Sequence, residues 1–201
     1  IDIDDLGYIY TVSGSSSNQV KKLNVRGDNL WNGKSFGERP PAPERTGASA
    51  AVAGAAEGPA SAGRLLTDVA VDRDGNATVI DKTGNVVLQY DADGRLLYYW
   101  AGNVTAGMAK LGLNQSPVAV AVDSRKRLYV LDDALNAIQV LEPTRFGAAV
   151  HTAHGLTRDG RYEESRAYWQ EVAKLNALYP PAYRGLAEAA FYAGNYAEAR
   201  R

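Results

Sequence analysis

The chain has 201 residues, of which 45% are hydrophobic and 22% charged, a composition typical of one large or two small globular domains. The formal net charge of −1 gives no sign of the basic surface that general nucleic-acid binding requires. The chain contains no cysteine, which excludes disulfides, iron–sulfur clusters and thiolate zinc sites.

Three segments in the first two thirds of the chain share one pattern. They are IDIDDLGYIYTVS from Ile1, VAVDRDGNATVID from Val69 and VAVDSRKRLYVLD from Val120. The last two segments end in an aspartate, Asp81 or Asp132, and an asparagine follows four residues later, at Asn85 or Asn136. The spacing indicates a repeated β unit with turns at fixed places.

The middle segment predicts four short strands, at 69–71, 78–80, 86–90 and 96–100. Asp/Gly turns separate them, so consecutive strands pair in the antiparallel sense. Apolar residues on both faces, as in LYVL at 128–131, favour a sheet packed between two others. Four such strands form one blade of a β-propeller.

The repeated pattern V-x-V-D, turn, L/I-Y-V-x-D-x-x-x-N resembles the NHL-repeat family of β-propellers over 1–31 and 65–142. LNQSP at 113–117 is similar to that family's entry into a blade. The resemblance implies blades that form sensor or extracellular parts of larger bacterial proteins. A low-complexity insertion at 33–63, with a short helix possible at 48–56, is expected to run over the surface.

Three blade starts are fewer than the four to eight of a closed propeller. The last blade has strands predicted near 117–122, 127–132 and 136–142, and Pro143 then leads into a helical pattern. We therefore expect an incomplete propeller whose last blade lacks an edge strand.

The C-terminal region contains a repeated sequence motif within a pattern typical of helices. GRYEESR at 160–166 returns as GNYAEAR at 194–200, 34 residues later. Apolar spacing predicts helices at 144–158, 161–176 and 181–193. This period resembles that of the tetratricopeptide family, which implies helical hairpins whose first helices line a peptide-binding groove. The alternative is a two-helix cap that only covers a face of the sheets.

Together these patterns predict a mixed multidomain fold. Residues 1–142 are expected to form incomplete, NHL-like, all-β propeller blades, and residues 143–201 all-α tetratricopeptide hairpins. The chain begins with Ile1 inside a strand pattern, so we expect both ends of the natural protein to be missing. A bacterial protein that is extracytoplasmic or membrane-associated is the expected setting, with membrane contact only through segments outside this chain.

Two sets of side chains are candidates for chemistry. Asp81 and Asp132 could gather around a metal, but a repeated aspartate more often caps a β-turn through its carboxylate. His151 and His154 lie three residues apart and could clamp a metal, but ordinary helix-surface histidines are the simpler interpretation. We expect no catalytic residue, no cofactor and no metal.

The resemblances favour a non-catalytic scaffold that binds a protein or peptide, or the ligand of a sensor, and no nucleic acid. The candidate interaction surface comprises Tyr183, Arg184, Asn195, His151 and Arg125. The alternative is a propeller enzyme of the lactonase or lyase type with a metal in its channel, which requires at least three convergent ligands. RNA binding on a basic face is a third option.

Overall fold

The structure is a computed structural model that describes residues 1–13, 20–31, 65–101 and 114–200. These residues belong to two compact units, Ile1–Glu142 and Pro143–Arg201. The expected insertion at 33–63, its short helix and Leu113 of the LNQSP motif lie outside the described residues.

The described part of the N-terminal unit contains three antiparallel sheets. The first sheet has the order β1 (Asp2–Ile3), β2 (Ile9–Val12), β3 (Val20–Leu23). The middle sheet has the order β4 (Leu66–Val71), β5 (Ala77–Asp81), β6 (Val86–Tyr90), β7 (Leu96–Ala101). The third sheet consists of β8 (Pro117–Val122), β9 (Leu128–Asp132) and β10 (Ala137–Leu141), with β9 in the centre.

The local strand predictions are confirmed. All four strands of the middle segment form in sequence order, and β6 spans Val86–Tyr90 as predicted. The three strands predicted near 117–122, 127–132 and 136–142 also form, with ends that differ by at most one residue.

The predicted fold class is wrong. Within the described residues, only one of the three sheets has the four strands of a propeller blade, and the sheets form no closed propeller. The four helices form no clear tetratricopeptide array, because the last of them has only four residues. The sequence patterns determine where strands, turns and helices form locally. A closed ring requires additional blades in contact with these sheets, and a helical array requires additional hairpins in contact with these helices.

The middle sheet is buried on both faces because its strands alternate between two apolar cores. One core joins its Val69, Val71, Val79 and Leu88 to Tyr10 and Val20 of the first sheet. The other core joins its Ala70, Ile80 and Val87 to Val120, Leu128 and Val130 of the third sheet. Neighbouring residues of a strand point to opposite faces, so the same short strand contributes to both cores.

The third sheet is covered on one face only in the described part of the chain. Val130 is fully buried against the middle sheet, but Leu131 is 40% exposed, Ile138 63% and Val140 46%. The prediction that the LYVL strand at 128–131 packs between two other sheets is therefore wrong for this copy.

Five turns of the N-terminal unit share one hydrogen-bond pattern. In each, the side-chain oxygen of the first residue accepts N–H groups from the third and fifth residues at 2.8–3.0 Å. The first residues are Asp4, Asn24, Asp72, Asp91 and Asp123. The fourth residue has a positive φ, which favours glycine, and it is glycine in every turn except the last, where Lys126 has φ 62°.

Aspartates also link neighbouring sheets. The N–H of Val71 donates to the carboxylate of Asp2 at 2.8 Å, across the junction of the first and middle sheets. The N–H of Val120 donates to Asp68 at 2.8 Å, across the junction of the middle and third sheets. In both cases a carboxylate of the earlier sheet accepts from the backbone of the later one.

The C-terminal unit contains α1 (Arg145–Arg158), α2 (Tyr162–Leu175), α3 (Pro180–Tyr192) and α4 (Tyr196–Ala199). The three predicted helices are confirmed, with each end within one residue of its predicted position. None of the described helices has the length and apolar character that a membrane crossing needs.

Trp169 of α2 is the central core residue of the helical unit. It is almost completely buried, its indole N–H donates to the hydroxyl of Thr157 at 3.0 Å, and its ring meets that of His154 edge-on at 4.7 Å. Gly185 of α3 lies so close to this ring that a Cβ there would overlap the indole. A residue without a side chain is therefore what allows α3 to pack tightly on α2.

Candidate protein-binding site

A groove of about 590 Å³ lies between α3 and α4. Its lining residues are Tyr183, Leu186, Ala187, Asn195, Ala197 and Glu198. We call this feature the α3–α4 groove. Its wall is mainly apolar, with a phenol, an amide and a carboxylate as its polar groups.

One face of α3 forms a wall of the groove, because its lining residues follow helical spacing. Tyr183, Leu186 and Ala187 follow the i, i+3, i+4 pattern of one helix face. Ala182 and Ala189 lie in the buried core, on the side where Gly185 meets Trp169. The groove wall thus belongs to a helix whose opposite side is anchored.

A network of polar contacts holds the α4 wall. The Asn195 side chain caps α4, accepting the N–H of Glu198 at 3.4 Å and donating its amide to the Glu198 carboxylate at 2.8 Å. The Arg166 guanidinium of α2 also donates to that carboxylate. The negative charge of Glu198 is therefore balanced inside the helical unit.

Tyr183 presents its ring to solvent while its hydroxyl is occupied. The hydroxyl donates to the backbone carbonyl of Ala177 at 2.9 Å, and about half of the residue is exposed. That bond holds the ring at the groove edge without burying it. A held, amphipathic ring is a good contact surface because little side-chain entropy is lost on binding.

Four aromatic residues form an exposed patch at the end of α3. Tyr162 stacks on Tyr192 with ring centres 4.2 Å apart, and Phe191 meets both Tyr192 and Tyr196 edge-on at 5.4 Å. We call this set the aromatic patch. Desolvation first, and then the neighbouring Tyr192, raise the pKa of the Tyr162 hydroxyl above its usual value.

The residues of the predicted interaction surface have different surroundings in the structure. Tyr183 and Asn195 line the α3–α4 groove, and Arg184 lies beside Tyr183 on the exposed side of α3. His151 is only 7% exposed, so it is not accessible, and its interpretation as a helix-surface histidine is wrong. Arg125 is exposed in a turn of the other unit.

The aromatic patch escaped the sequence-based analysis. Its signal is the run FYAGNY at 191–196, which places three aromatic residues within six positions around a helix end. A turn at Gly194, with φ 79°, brings Tyr196 back towards Phe191. Helical periodicity alone does not reveal this contact because the turn interrupts the period.

The repeated aspartates cap turns, as predicted. Asp132 is fully buried, and its carboxylate accepts N–H groups from Gln115, Ser116 and Leu135 at 2.6–3.1 Å. Asp81 accepts the N–H of Thr83 at 3.0 Å. Over the ranges that the structure describes, no three His, Cys, Asp or Glu side chains lie close enough together to hold a metal ion.

No protein-family model matches the chain, and no curated protein is similar to it. The resemblance of its two repeats to the NHL and tetratricopeptide families therefore stays a prediction.

Proposed function

We propose that this chain is a non-catalytic binding protein and that its helical unit holds a peptide segment of a partner protein. The observation that supports this proposal is the α3–α4 groove, with its volume of about 590 Å³ and its largely apolar wall. Sites of this size with a few polar groups are typical of ligand recognition.

The groove suits an apolar side chain of a peptide. Leu186, Ala187 and Ala197 give it an apolar lining, and the two alanines allow a peptide backbone to come close. Tyr183 and Asn195 add a ring and an amide at its edge. Tyrosine is enriched among the residues that dominate binding energy at protein interfaces.

The charges near the groove favour a peptide with an acidic residue. Glu198 is already paired with Arg166. Arg184 is exposed, and no ion pair to it forms within the described residues. A carboxylate of the peptide could therefore pair with Arg184 without displacing an internal partner.

A peptide library tests the proposal. Random 12-residue peptides are displayed on phage and selected against the 201-residue chain, and the enriched peptides are titrated by fluorescence polarisation. We expect the selected peptides to share an apolar anchor next to an acidic residue. Tyr183→Ala should weaken their binding by on the order of tenfold, since it removes an exposed aromatic contact.

The matched control is Tyr168→Ala, which removes a half-exposed tyrosine of α2 outside the groove lining. This control should change the dissociation constant less than about twofold. The proposal fails if no peptide is enriched, or if Tyr183→Ala and Tyr168→Ala affect the selected peptides equally.

A further inference from the structure

The outer edge of β10 has no neighbouring strand within the described residues, although its counterpart in the middle sheet has one. β6 pairs with β7 through a hairpin turn that begins at Asp91. Glu142 occupies the corresponding place after β10, but Pro143 follows, and Thr144 caps α1 by accepting the N–H of Gly147 at 3.1 Å. The chain therefore starts a helix where the middle sheet adds a strand.

β10 also lacks the features that normally protect an edge strand. Its sequence, AIQVL, contains neither a charged residue nor proline. Ile138 and Val140 are exposed, and Leu131 of β9, which pairs with Ile138, is exposed beside them. Natural edge strands usually carry lysine, proline or a bulge that prevents pairing with another chain.

The β10 sequence is complementary to itself when it is reversed. In an antiparallel pair centred on Gln139, Ile138 of one copy lies opposite Val140 of the other. Ala137 then lies opposite Leu141, and Gln139 lies opposite its own counterpart. Every position pairs with a residue of similar polarity, and no like charges meet within the strand.

We propose that two copies of this chain associate through antiparallel pairing of their β10 strands about a twofold axis at Gln139. The two third sheets then form one sheet of six strands, three from each copy. On its exposed face, Leu131 and Ile138 of one copy continue into Val140 and Tyr129 of the other, as the β9–β10 register requires. A second copy fits this edge because a twofold interface needs one self-complementary surface.

Sedimentation equilibrium over about 1–100 µM protein tests the pairing. The wild-type chain should be a dimer at the upper end of this range. Ile138→Lys should raise the dissociation constant by on the order of tenfold or more, because one substitution places a lysine at two positions of a symmetric interface. Ile138 is largely exposed, so the variant should fold normally.

Val25→Lys is the matched control, since it places the same charge at an 85% exposed apolar position in a turn of the first sheet. It should leave the dissociation constant within about twofold of wild type. A wild-type chain that stays monomeric throughout the range would overturn the proposal, as would a dimer that Ile138→Lys does not weaken.

A single cysteine tests the register. This 201-residue chain contains no cysteine, so Gln139→Cys introduces its only thiol. Under mild oxidation this variant should form a disulfide-linked dimer several times faster than Val25→Cys, because opposing residues of an antiparallel pair lie within disulfide reach. Equal rates for the two variants would overturn the pairing about Gln139.

Discussion

The middle and third sheets are two copies of one sequence pattern in different surroundings. Ile80 and Leu131 occupy the same place in the pattern, 51 residues apart, yet Ile80 is fully buried and Leu131 is exposed. Gly75 and Lys126 likewise share a turn position with a positive φ. The comparison teaches that the pattern determines strands and turns, whereas neighbouring sheets determine what each side chain contributes to stability.

The largest expected difference lies between the two aliphatic residues. Ile80→Ala should lower the free energy of unfolding by about 2–5 kcal/mol, because it opens a cavity in a filled core. Leu131→Ala should lower it by less than about 1 kcal/mol, because that side chain already meets solvent. Urea unfolding, monitored by circular dichroism of the sheets, measures both changes.

Val130→Ala is a useful control for the third sheet. Val130 is adjacent to Leu131 on β9 but points into the core shared with the middle sheet. It should therefore behave like Ile80 and not like its neighbour. If Leu131→Ala costs as much as Ile80→Ala, the outer face of the third sheet is covered in solution and the contrast between the sheets disappears.

A smaller difference is expected at the shared turn position. A Cβ on Gly75 would lie 3.2 Å from the Cβ of Ala92 and 3.3 Å from the hydroxyl oxygen of Tyr10, in a backbone conformation that disfavours side chains. Gly75→Ala should therefore cost about 1–3 kcal/mol. Thermal unfolding at pH 7 measures it.

Lys126 needs two variants, because its ammonium group also contacts Asp74 and Asp72 of the middle sheet. Lys126→Ala and Lys126→Gly both remove that contact, but only glycine relieves the left-handed backbone. Lys126→Gly should thus be more stable than Lys126→Ala by about 1 kcal/mol. Equal stability of the two variants would mean that the backbone at this turn relaxes without cost.

The smallest effects concern the acids that begin two of the turns. Burial raises the pKa of Asp91 in the middle sheet, although the N–H of Arg95 opposes the shift. Burial also acts on Asp123 in the third sheet, but backbone N–H groups and the Arg127 guanidinium outweigh it and lower the pKa of this carboxyl to about 2.

These two shifts have opposite consequences for stability. The folded chain holds the Asp91 proton more tightly than the unfolded chain, so this contribution is present at low pH and is lost as the pH rises through the raised pKa. The Asp123 contribution is present above the unfolded pKa of about 4 and is lost as the pH falls towards 2.

Asparagine variants measured by urea unfolding between pH 3 and 7 separate the two cases. Asp123→Asn should weaken the loss of stability at acid pH, and Asp91→Asn should weaken the loss that accompanies a rise in pH. Asn24 begins a turn with the same hydrogen bonds, so asparagine can keep the turn in both variants. Parallel pH profiles for the two variants would contradict the assigned directions.

Sequence patterns predicted the local structure well because it depends on short-range chemistry. The repeated Asn85 and Asn136 adopt left-handed conformations, with φ of 53° and 49°, which asparagine tolerates better than most residues. Gly160 and Gly194, which lie 34 residues apart, likewise have positive φ between helices. The ends of strands and helices could be predicted because residues typical of such turns mark them in the sequence.

Burial and the candidate site were harder to predict because they depend on contacts between distant segments. His151 lies on α1 among both exposed and buried residues, and its burial becomes apparent only when the helices are packed together. The α3–α4 groove combines residues on both sides of the Gly194 turn. Helical period alone identified Tyr183, but it could not bring Ala197 and Glu198 to the same site.

The donor and acceptor residues of the hydrogen bonds between sheets differ in how freely they can be substituted. Asp2 and Asp68 accept from the backbone N–H groups of Val71 and Val120, which every residue except proline possesses. Substitutions on the donor side are therefore nearly neutral for these bonds, whereas the acceptor side needs a side-chain oxygen at the right distance, as aspartate or asparagine provides. Ala119 stands in the third sheet where the middle sheet has Asp68. A tandem copy placed after the third sheet could therefore repeat the link made by Asp68 only if an acceptor side chain replaced Ala119.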